Sequence, residues 1–344
     1  MACAPGIRPA AVETIELREA ERPLRVLAVL PLPDSKSGMI HAIREVASLE
    51  VAGVTCQSFL VASRTSPRML LREWHRLRKE IRAFQPDLLH AHYGTMTAFL
   101  AIVSTALPVI ITYRGSDLNP NPGLGWLRQA VGTLLSQIAA LRAARIICVS
   151  NQLKNKLWWR KNRVRVIPGG VDTTVFYPRH SDEARRELGW GQDERVVLFN
   201  GRDAIIKRLD LARAAVQFAE SVCGKIRFVI LDGDVSPTLI PSMLNAADCL
   251  LVTSDWEGSP YIVKEAIACN LPVVSVDVGD VREQLHKVLP SVIVSRDVSE
   301  IGRGITEILR HRQRSNGGEL INDWSSEVNS QRIISLYRAA QGIA

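Results

Sequence analysis

Residues 253–279 read T-S-D-W-E-G-S-P-Y-I-V-K-E-A-I-A-C-N-L-P-V-V-S-V-D-V-G, a pattern that predicts a strand end, a loop, a short helix and a second strand. The first strand is buried and ends at Thr253. Ser259 is a favourable N-cap residue and Pro260 fits the first helical position, which predicts a helix over about residues 261–269. Because the N–H groups at a helix N-terminus lack intrahelical partners and the dipole favours negative charge, the segment predicts an anion site.

Two carboxylates, Glu257 and Glu265, frame this predicted anion site. Glu257 stands on the loop before the helix, and Glu265 lies about one and a half turns inside it. Acids beside a phosphate site make sense if they accept hydrogen bonds from hydroxyl groups, and a nucleotide sugar has hydroxyls on both the ribose and the sugar. The alternative is that Glu257 favours the helix dipole and Glu265 is a solvated surface residue.

Short apolar runs alternate with helical patterns on both sides of this segment, which predicts an α/β protein with parallel, doubly wound sheets. A segment rich in Gly, Pro and Thr, residues 166–178, reads as a strand leading into a crossover and separates two similar halves near residue 170. The last helix is predicted over about residues 325–340. Ligands of such sheets bind outside the carboxyl ends of the strands, so the cleft between the halves is the predicted site. The predicted strands are residues 24–30, 54–61, 88–92, 109–113, 146–150, 196–200, 227–231, 249–253, 273–276 and 292–294.

A basic loop follows the strand at residues 196–200. Gly201 permits a tight turn there, and Arg202 and Lys207 flank the loop. Arginine suits bidentate phosphate contacts and lysine suits point-charge contacts, so this pair could grip a diphosphate. The alternative is that Arg202 and Lys207 are ordinary solvated residues at the edge of the sheet.

The combined pattern resembles the retaining glycosyltransferases of family 4. The match consists of G-R-x-x-x-x-K (201–207), E-G-x-P-x-x-x-x-E-A (257–266), N-x-P-V-V (270–274) before Gly279, and the I-P-G-G-V-D turn (167–172). The resemblance covers about residues 24–340. It implies the GT-B architecture, in which two facing Rossmann-like domains enclose a cleft and a C-terminal helix crosses back. The implied division is an N-terminal extension (1–22), an acceptor-side domain (23–168), a nucleotide-sugar domain (169–325) and the returning helix (326–344).

This resemblance also implies a reaction and roles for individual residues. A hexosyl group would move, with retention, from a nucleoside diphosphate sugar to a hydroxyl of a surface polysaccharide or lipid-linked glycan, without a metal or another cofactor. Arg202 and Lys207 would bind the diphosphate and stabilise the leaving group, Glu265 would bind the ribose and Glu257 the sugar. The rest of the predicted donor site consists of Gly38, Gly201, Gly258, Ser259, Tyr261 and Ile262.

The sequence departs from the family pattern at two places. Where similar enzymes have T-x-H-G-x-D, with a histidine that meets the donor sugar, this chain has Arg114. Arginine cannot shuttle protons, so Arg114 would bind a phosphate or an acidic sugar instead. Asp117 and His92 are the other polar candidates near the acceptor, with strand-end capping as the alternative for each. In addition, only residues 235–248 stand where the family usually has a further strand and helix, so the nucleobase is not assigned.

Composition limits the remaining possibilities. The chain has 344 residues, 47% hydrophobic and 23% charged, with a net charge of +8 that suits an anionic ligand, a nucleic acid or an acidic membrane surface. No nucleic-acid motif accompanies the charge, so nucleic-acid binding is not expected. Residues 64–84 read as a cationic amphipathic helix, and residues 154–165 add Trp158, Trp159 and several cations. Such segments suit peripheral contact with anionic lipid, and two solvated faces are the equally supported alternative.

Cysteine spacing and targeting patterns predict a cytoplasmic enzyme, and peripheral contact at the inner membrane face stays open as an alternative. None of the six cysteines has zinc-site spacing, and a reduced protein is expected. The first 22 residues have no apolar segment typical of a signal peptide. The uncharged stretch 93–113 contains Pro108 and predicts a buried helix followed by a buried strand. Two other functions stay open: a nucleotide-sugar epimerase of the same fold, and a non-catalytic pseudo-enzyme that binds nucleotide sugars.

Overall fold

Two parallel β-sheets, one in each half of the chain, position the cleft. The computed structural model describes residues 22–32, 39–62, 66–120, 123 and 125–342. The first sheet contains β1 (Arg25–Pro31), β2 (Thr55–Val61), β3 (Leu88–His92), β4 (Val109–Tyr113), β5 (Arg145–Cys148) and β6 (Val164–Val166), in the order β2-β1-β3-β4-β5-β6. The second sheet contains β7 (Arg195–Asn200), β8 (Ile226–Leu231), β9 (Cys249–Val252), β10 (Val273–Val276) and β11 (Val292–Val294), in the order β11-β10-β9-β7-β8.

Helices connect the strands and cover the sheets. They are α1 (Ile40–Val51), α2 (Pro67–Phe84), α3 (Thr95–Ser104), α4 (Trp126–Arg142), α5 (Asn151–Lys156), α6 (Ser181–Leu188), α7 (Ala204–Lys207), α8 (Leu209–Cys223), α9 (Ile240–Ala246), α10 (Tyr261–Ala268), α11 (Val281–Leu285), α12 (Val298–His311), α13 (Gly317–Leu320) and α14 (Ser326–Gln341). Two short 3-10 turns occur at Lys161–Arg163 and Ile321–Trp324.

The strands form where the sequence has continuous apolar runs, because helices bury both faces of a parallel sheet. All ten predicted strands are present, with ends that differ by two residues at most. The strand expected to open the 166–178 segment is β6, which ends at Val166, so most of that segment is the connection between the halves. The uncharged stretch 93–113 forms α3 and β4, as predicted. No helix in the described ranges combines the length and the apolar character that crossing a membrane requires.

The first sheet is covered on both faces by different helices. One face packs against α2, α3 and α4, through Leu77, Ala98 and Ala139 among others. The opposite face packs against α1 and α14, where Tyr337 is fully buried. The last helix therefore returns to the first sheet, which confirms the predicted GT-B arrangement. The five cysteines in the described ranges are all free thiols.

Candidate active site

A cavity of about 370 Å³ lies between the two sheets, at the carboxyl ends of their strands. The first half contributes the start of α1 and the end of β4, and the second half contributes the loops after β7, β8 and β9 together with the start of α10. Nine of the predicted site residues line this cavity: Arg114, Arg202, Lys207, Glu257, Gly258, Ser259, Tyr261, Ile262 and Glu265. Gly38, another predicted residue, lies outside the described residues.

Lys207 and Glu257 form an ion pair on one wall of the cavity. The same oxygen of Glu257 accepts a hydrogen bond of 2.7 Å from the Ser254 hydroxyl. A cation and a carboxylate predicted for different parts of one donor are therefore in direct contact. A diphosphate that binds Lys207 would compete with Glu257 for the ammonium group, and would leave that carboxylate available for a hydroxyl.

Gly201 has a different role from the one predicted. Within the described residues it does not line the cavity, and its φ is not in the left-handed region. A Cβ atom at Gly201 would overlap the Ile230 side chain on the neighbouring strand. Glycine is needed there for close packing between β7 and β8, not for a tight turn. Arg202, the next residue, is exposed and lines the cavity.

The start of α10 also differs from the prediction, because Ser259 does not cap the helix. Pro260 occupies the N-cap position without a side-chain hydrogen bond, and the helix begins at Tyr261. The hydroxyl of Ser259 instead donates to Asp280 at 2.7 Å. Ser259 is thus tied to the loop after β10, which fixes the segment that carries the predicted sugar-binding residues.

A buried lysine completes the network around Ser259. The ammonium of Lys264 donates to the Ser259 hydroxyl at 2.9 Å and lies 4.5 Å from the centroid of the Tyr261 ring. Lys264 is fully buried, and burial lowers its pKa to about 8, although Asp280 opposes this. The sequence analysis did not select Lys264. The available signal was a charged residue that follows the apolar Val263 on a helix whose residues 263–268 are all buried.

Glu265 lies across the cleft from the first half of the chain. It is only 6% exposed, so the alternative of a solvated surface residue is wrong. Burial raises the pKa of Glu265 to about 7, although Arg44 and Lys264 act in the opposite direction. The nearest cation is the guanidinium of Arg44 on α1, at 3.5 Å. The sequence analysis missed Arg44, because nothing in its local pattern shows that α1 approaches α10.

Arg114 joins the two halves at the floor of the cavity. Its Nη1 donates to the Tyr261 hydroxyl at 3.0 Å, and its Nη2 donates to Glu45 at 2.9 Å and lies 3.1 Å from His92 Nδ1. Burial raises the pKa of Glu45, but Arg114 and His92 lower it more, so the carboxylate stays ionised. Arg114 is therefore a cation held in place by a partner carboxylate on α1.

His92 and Asp117 are not brought to the cavity. Within the described part of the chain, neither lines it, and both are buried. Asp117 accepts hydrogen bonds from the backbone N–H groups of Gly94, Gly115 and Arg114 at 2.9–3.2 Å. Asp117 thus caps the end of β4. This is the strand-end capping that the sequence analysis gave as the alternative to a role near the acceptor. A residue at a strand end lies at the correct edge of the sheet, but its side chain does not necessarily face the cleft.

His41, at the start of α1, is a cavity residue that the sequence analysis missed. Its ring stacks on the Tyr261 ring with centroids 3.6 Å apart and planes within 5°. Burial, followed by Arg44 and Arg114, lowers the pKa of His41 well below its ordinary value. The imidazole is therefore neutral at physiological pH. Its only local signal was a position in the first turn of the helix predicted to follow Gly38.

One group of side chains in the described residues has the spacing of a metal site, namely Glu45, His90 and His92. It does not fit a cation, because the Arg114 guanidinium already contacts Glu45 and His92. Both ring nitrogens of His90 are also occupied, by the hydroxyls of Tyr337 and Thr112.

Asp232 and Asp234 follow β8 as another carboxylate pair. Gly233, which stands between them, lines the cavity, but in the described part of the chain neither aspartate does.

Comparisons with known proteins agree with this architecture. A family model described as Glycosyltransferase Family 4 matches residues 40–175, and one described as Glycosyl transferases group 1 matches residues 222–324. The putative teichuronic acid biosynthesis glycosyltransferase TuaC of Bacillus subtilis is 27% identical over 65% of this chain and 62% of its own length. The match thus spans less than two thirds of that relative.

Solved structures share the fold. Sucrose-phosphate synthase from Thermosynechococcus elongatus has a TM-score of 0.78 at 17% identity, covering 94% of this chain and 100% of its own. Anabaena Alr3699/HepE in complex with UDP and glucose has a TM-score of 0.72 at 16% identity, covering 92% and 100%. At these identities the likeness shows the fold alone.

Proposed function

Because this chain belongs to the group 1 glycosyltransferases of family 4 and has their GT-B fold, we propose that it transfers a hexosyl group from a nucleoside diphosphate sugar to an acceptor hydroxyl, with retention. One observation carries the choice of donor. Arg202, Lys207, Glu257 and Glu265 come from three separate segments, yet all four line one cavity, whose volume of about 370 Å³ lies in the range of small-molecule sites. A site that combines cations with hydroxyl-binding carboxylates suits a donor that has phosphates at its centre and hydroxyls at both ends.

In this proposal the cations supply most of the catalysis. Arg202 and Lys207 bind the diphosphate and stabilise the negative charge that develops on it as the sugar leaves. Glu257 accepts hydrogen bonds from the sugar, and Glu265 accepts them from the ribose. No step needs a metal ion, since fixed guanidinium and ammonium groups take the role that a divalent cation would have.

We further propose that the acceptor is a growing surface polysaccharide or lipid-linked glycan, reached from the inner face of the membrane. The printed name of the relative TuaC, which refers to teichuronic acid biosynthesis, is compatible with an acceptor of this kind. The exposed cations of α2 and the Trp158–Trp159 segment support peripheral contact with anionic lipid. The printed title of the HepE complex names UDP and glucose, so UDP-glucose is a sensible first donor to test.

A thermal-shift screen with UDP-, GDP-, ADP- and CMP-sugars tests the donor site. We expect one nucleotide class to stabilise the protein, and the Arg202→Ala variant to lose that shift. Arg208→Ala is the matched control, because Arg208 pairs with Asp210 and Asp255 and, among the described residues, does not line the cavity. If no nucleotide sugar shifts the wild type, or if Arg202→Ala keeps the full shift, the proposal is wrong.

Product analysis separates the transferase from the two other functions. With donor alone, an epimerase changes the sugar, whereas a transferase gives no new nucleotide sugar and needs an acceptor to form a glycoside. Transfer activity in the wild type that Glu257→Ala abolishes would exclude a pseudo-enzyme. Equal activities of the wild type and Glu257→Ala would favour a pseudo-enzyme.

A further inference from the structure

The outer face of α4 exposes a stripe of large apolar side chains. Leu127 is 61% exposed, and Val131 and Leu134 follow it on the same face of the helix. Trp126, which is 80% exposed, precedes them at the start of the helix, about 100° around the axis from Leu127. We call these four residues the α4 stripe. Singly exposed apolar residues are ordinary, but a continuous exposed apolar face indicates an interaction surface.

The α4 stripe belongs to a larger surface, because α2, α3 and α4 cover the same face of the first sheet. The outer side of this helical layer adds the exposed residues Leu71 on α2 and Val103 on α3. On the other flank, the Trp158–Trp159 segment docks on α4, where Trp159 Nε1 donates to the carbonyl oxygen of Gln137 at 2.6 Å. The α4 stripe thus lies between the two basic, aromatic segments that the sequence analysis selected.

The charges around the α4 stripe are almost all positive. The charged residues of α4 itself are Arg128 and Arg142. Helix α2 carries six cations and two acids, Glu73 and Glu80. Glu73 is buried and paired with Arg76, and Glu80 is bonded to Gln57. The α2 cations are Arg68, Arg72, Arg76, Arg78, Lys79 and Arg82. A second copy of the chain docked face to face would bring these cations together, whereas an anionic surface would complement them.

The α4 stripe begins close in the chain to residues that contact the predicted donor site. Helix α4 comes after β4 in the chain, and Arg114 and Asn119 between them contact the predicted donor site. A Cβ at Gly258 would overlap the carbonyl oxygen of Arg114, and Asn119 Nδ2 donates to the carbonyl oxygen of Glu257 at 3.4 Å. Trp126 is the first residue of α4, so the most exposed side chain of the stripe is the one nearest the cleft in the chain.

We propose that the α4 stripe inserts into the headgroup region of an anionic bilayer, with the cations of α2 beside it on the lipid phosphates. Tryptophan and leucine favour this interface, and arginine side chains extend to the headgroups. Seated in this way, the first half would rest on the membrane surface that presents a lipid-linked acceptor. The link between membrane binding and a lipid-linked acceptor rests on the proposed function. Lipid binding itself requires neither donor nor acceptor.

Co-sedimentation of the full chain with vesicles tests the proposal. We expect binding to vesicles of phosphatidylcholine mixed with phosphatidylglycerol and little binding to phosphatidylcholine alone. Leu127→Ser with Val131→Ser removes two exposed side chains without touching the core, and should lower the partition coefficient about tenfold or more. Arg68→Ser with Arg72→Ser should lower it severalfold at low salt and less at high salt.

The control is Val222→Ser on α8, an equally exposed apolar residue of the second half, which should leave lipid binding unchanged. Absence of binding to the anionic vesicles, or full binding by the Leu127/Val131 variant, overturns the proposal. So does a wild-type dimer in sedimentation analysis that the same variant converts to a monomer, since the stripe would then bind a second copy. The nucleotide-sugar thermal shift is independent of these results, so failure of lipid binding is distinguishable from failure of the proposed function.

Discussion

The Nη1 atom of Arg114 donates to the Tyr261 hydroxyl at 3.0 Å, which links the end of β4 in the first half to the start of α10 in the second. Tyr261 is held from two further sides, by the stacked ring of His41 and by the buried ammonium of Lys264. The link therefore fixes the loop that carries Glu257 relative to α1. Donor contacts from both halves depend on this arrangement.

Tyr261→Phe keeps the ring and its stack but removes the hydroxyl. The Arg114 guanidinium then loses one acceptor in a buried setting, and the expected loss of stability is about 1–3 kcal/mol. We expect kcat/KM for transfer to fall about tenfold, because a single hydrogen bond to a charged group is lost. Tyr177→Phe, at an exposed position, is the control for kinetics and denaturant unfolding. Unchanged kinetics in Tyr261→Phe would show that the link has no part in transfer.

Gly258→Ala tests the close approach of the two halves. A Cβ at this position would overlap the carbonyl oxygen of Arg114, and a backbone atom cannot rotate away. The loop must move, so we expect transfer activity to fall by about 10²-fold, as misplacement of about 1 Å can do. Gly132→Ala is the control, since its Cβ would meet Thr95 at an ordinary 3.5 Å. Near wild-type kinetics in Gly258→Ala would mean that the loop is not constrained as described.

The strands were predictable because a parallel sheet buried on both faces requires continuous apolar runs bounded by turns. β3, β4, β10 and β11 start and end at the predicted residues. The donor residues Arg202, Lys207 and Glu257 were selected from loops after strands, and parallel topology alone places such loops at one edge of a sheet. This part of the site could therefore be predicted from short stretches of sequence next to each strand.

The residues that sequence analysis missed depend on how the two sheets approach each other. His41, Arg44 and Glu45 are ordinary polar residues of an amphipathic helix until α10 packs opposite them. Lys264 stands at a position that only tertiary packing buries. In the same way, His92 was placed at the correct sheet edge, but its burial depends on the neighbouring Arg114 and Glu45, which no local pattern reveals.

Glu265→Gln should separate stability from function. Burial raises the pKa of Glu265 to about 7 from an ordinary value of 4.5. The folded protein therefore holds this proton more tightly than the unfolded chain does. The free energy of unfolding should fall as the pH rises from about 4.5 through 7, because the carboxyl group then ionises in its buried position. At pH 8 the Gln variant should be more stable than the wild type by up to about 3 kcal/mol, with the difference vanishing near pH 4.

Donor binding should change in the opposite direction. The amide has one acceptor oxygen and an NH2 group that only donates, whereas a carboxylate offers an oxygen to each hydroxyl of a ribose diol. We expect KM for the nucleotide sugar to rise about tenfold or more in Glu265→Gln. Denaturant titrations at several pH values and initial-rate kinetics give both quantities. Equal stability of the two proteins at pH 8 would contradict the pKa, and an unchanged KM would contradict the ribose contact.

Lys264→Met tests the buried ammonium beneath the Ser259 loop. Burial lowers the pKa of Lys264 to about 8 from an ordinary 10.5, so between these values the unfolded chain binds more protons than the folded one. Stability of the wild type relative to Lys264→Met should therefore rise with pH over this window, by on the order of 3 kcal/mol. Methionine fills a similar volume but cannot donate to Ser259, so KM for the donor should rise while kcat changes less. Lys225→Met, at an exposed position outside the buried network, should show neither effect. A stability difference independent of pH between 7 and 10 would mean that Lys264 keeps an ordinary pKa, and hence that water reaches the network around Ser259.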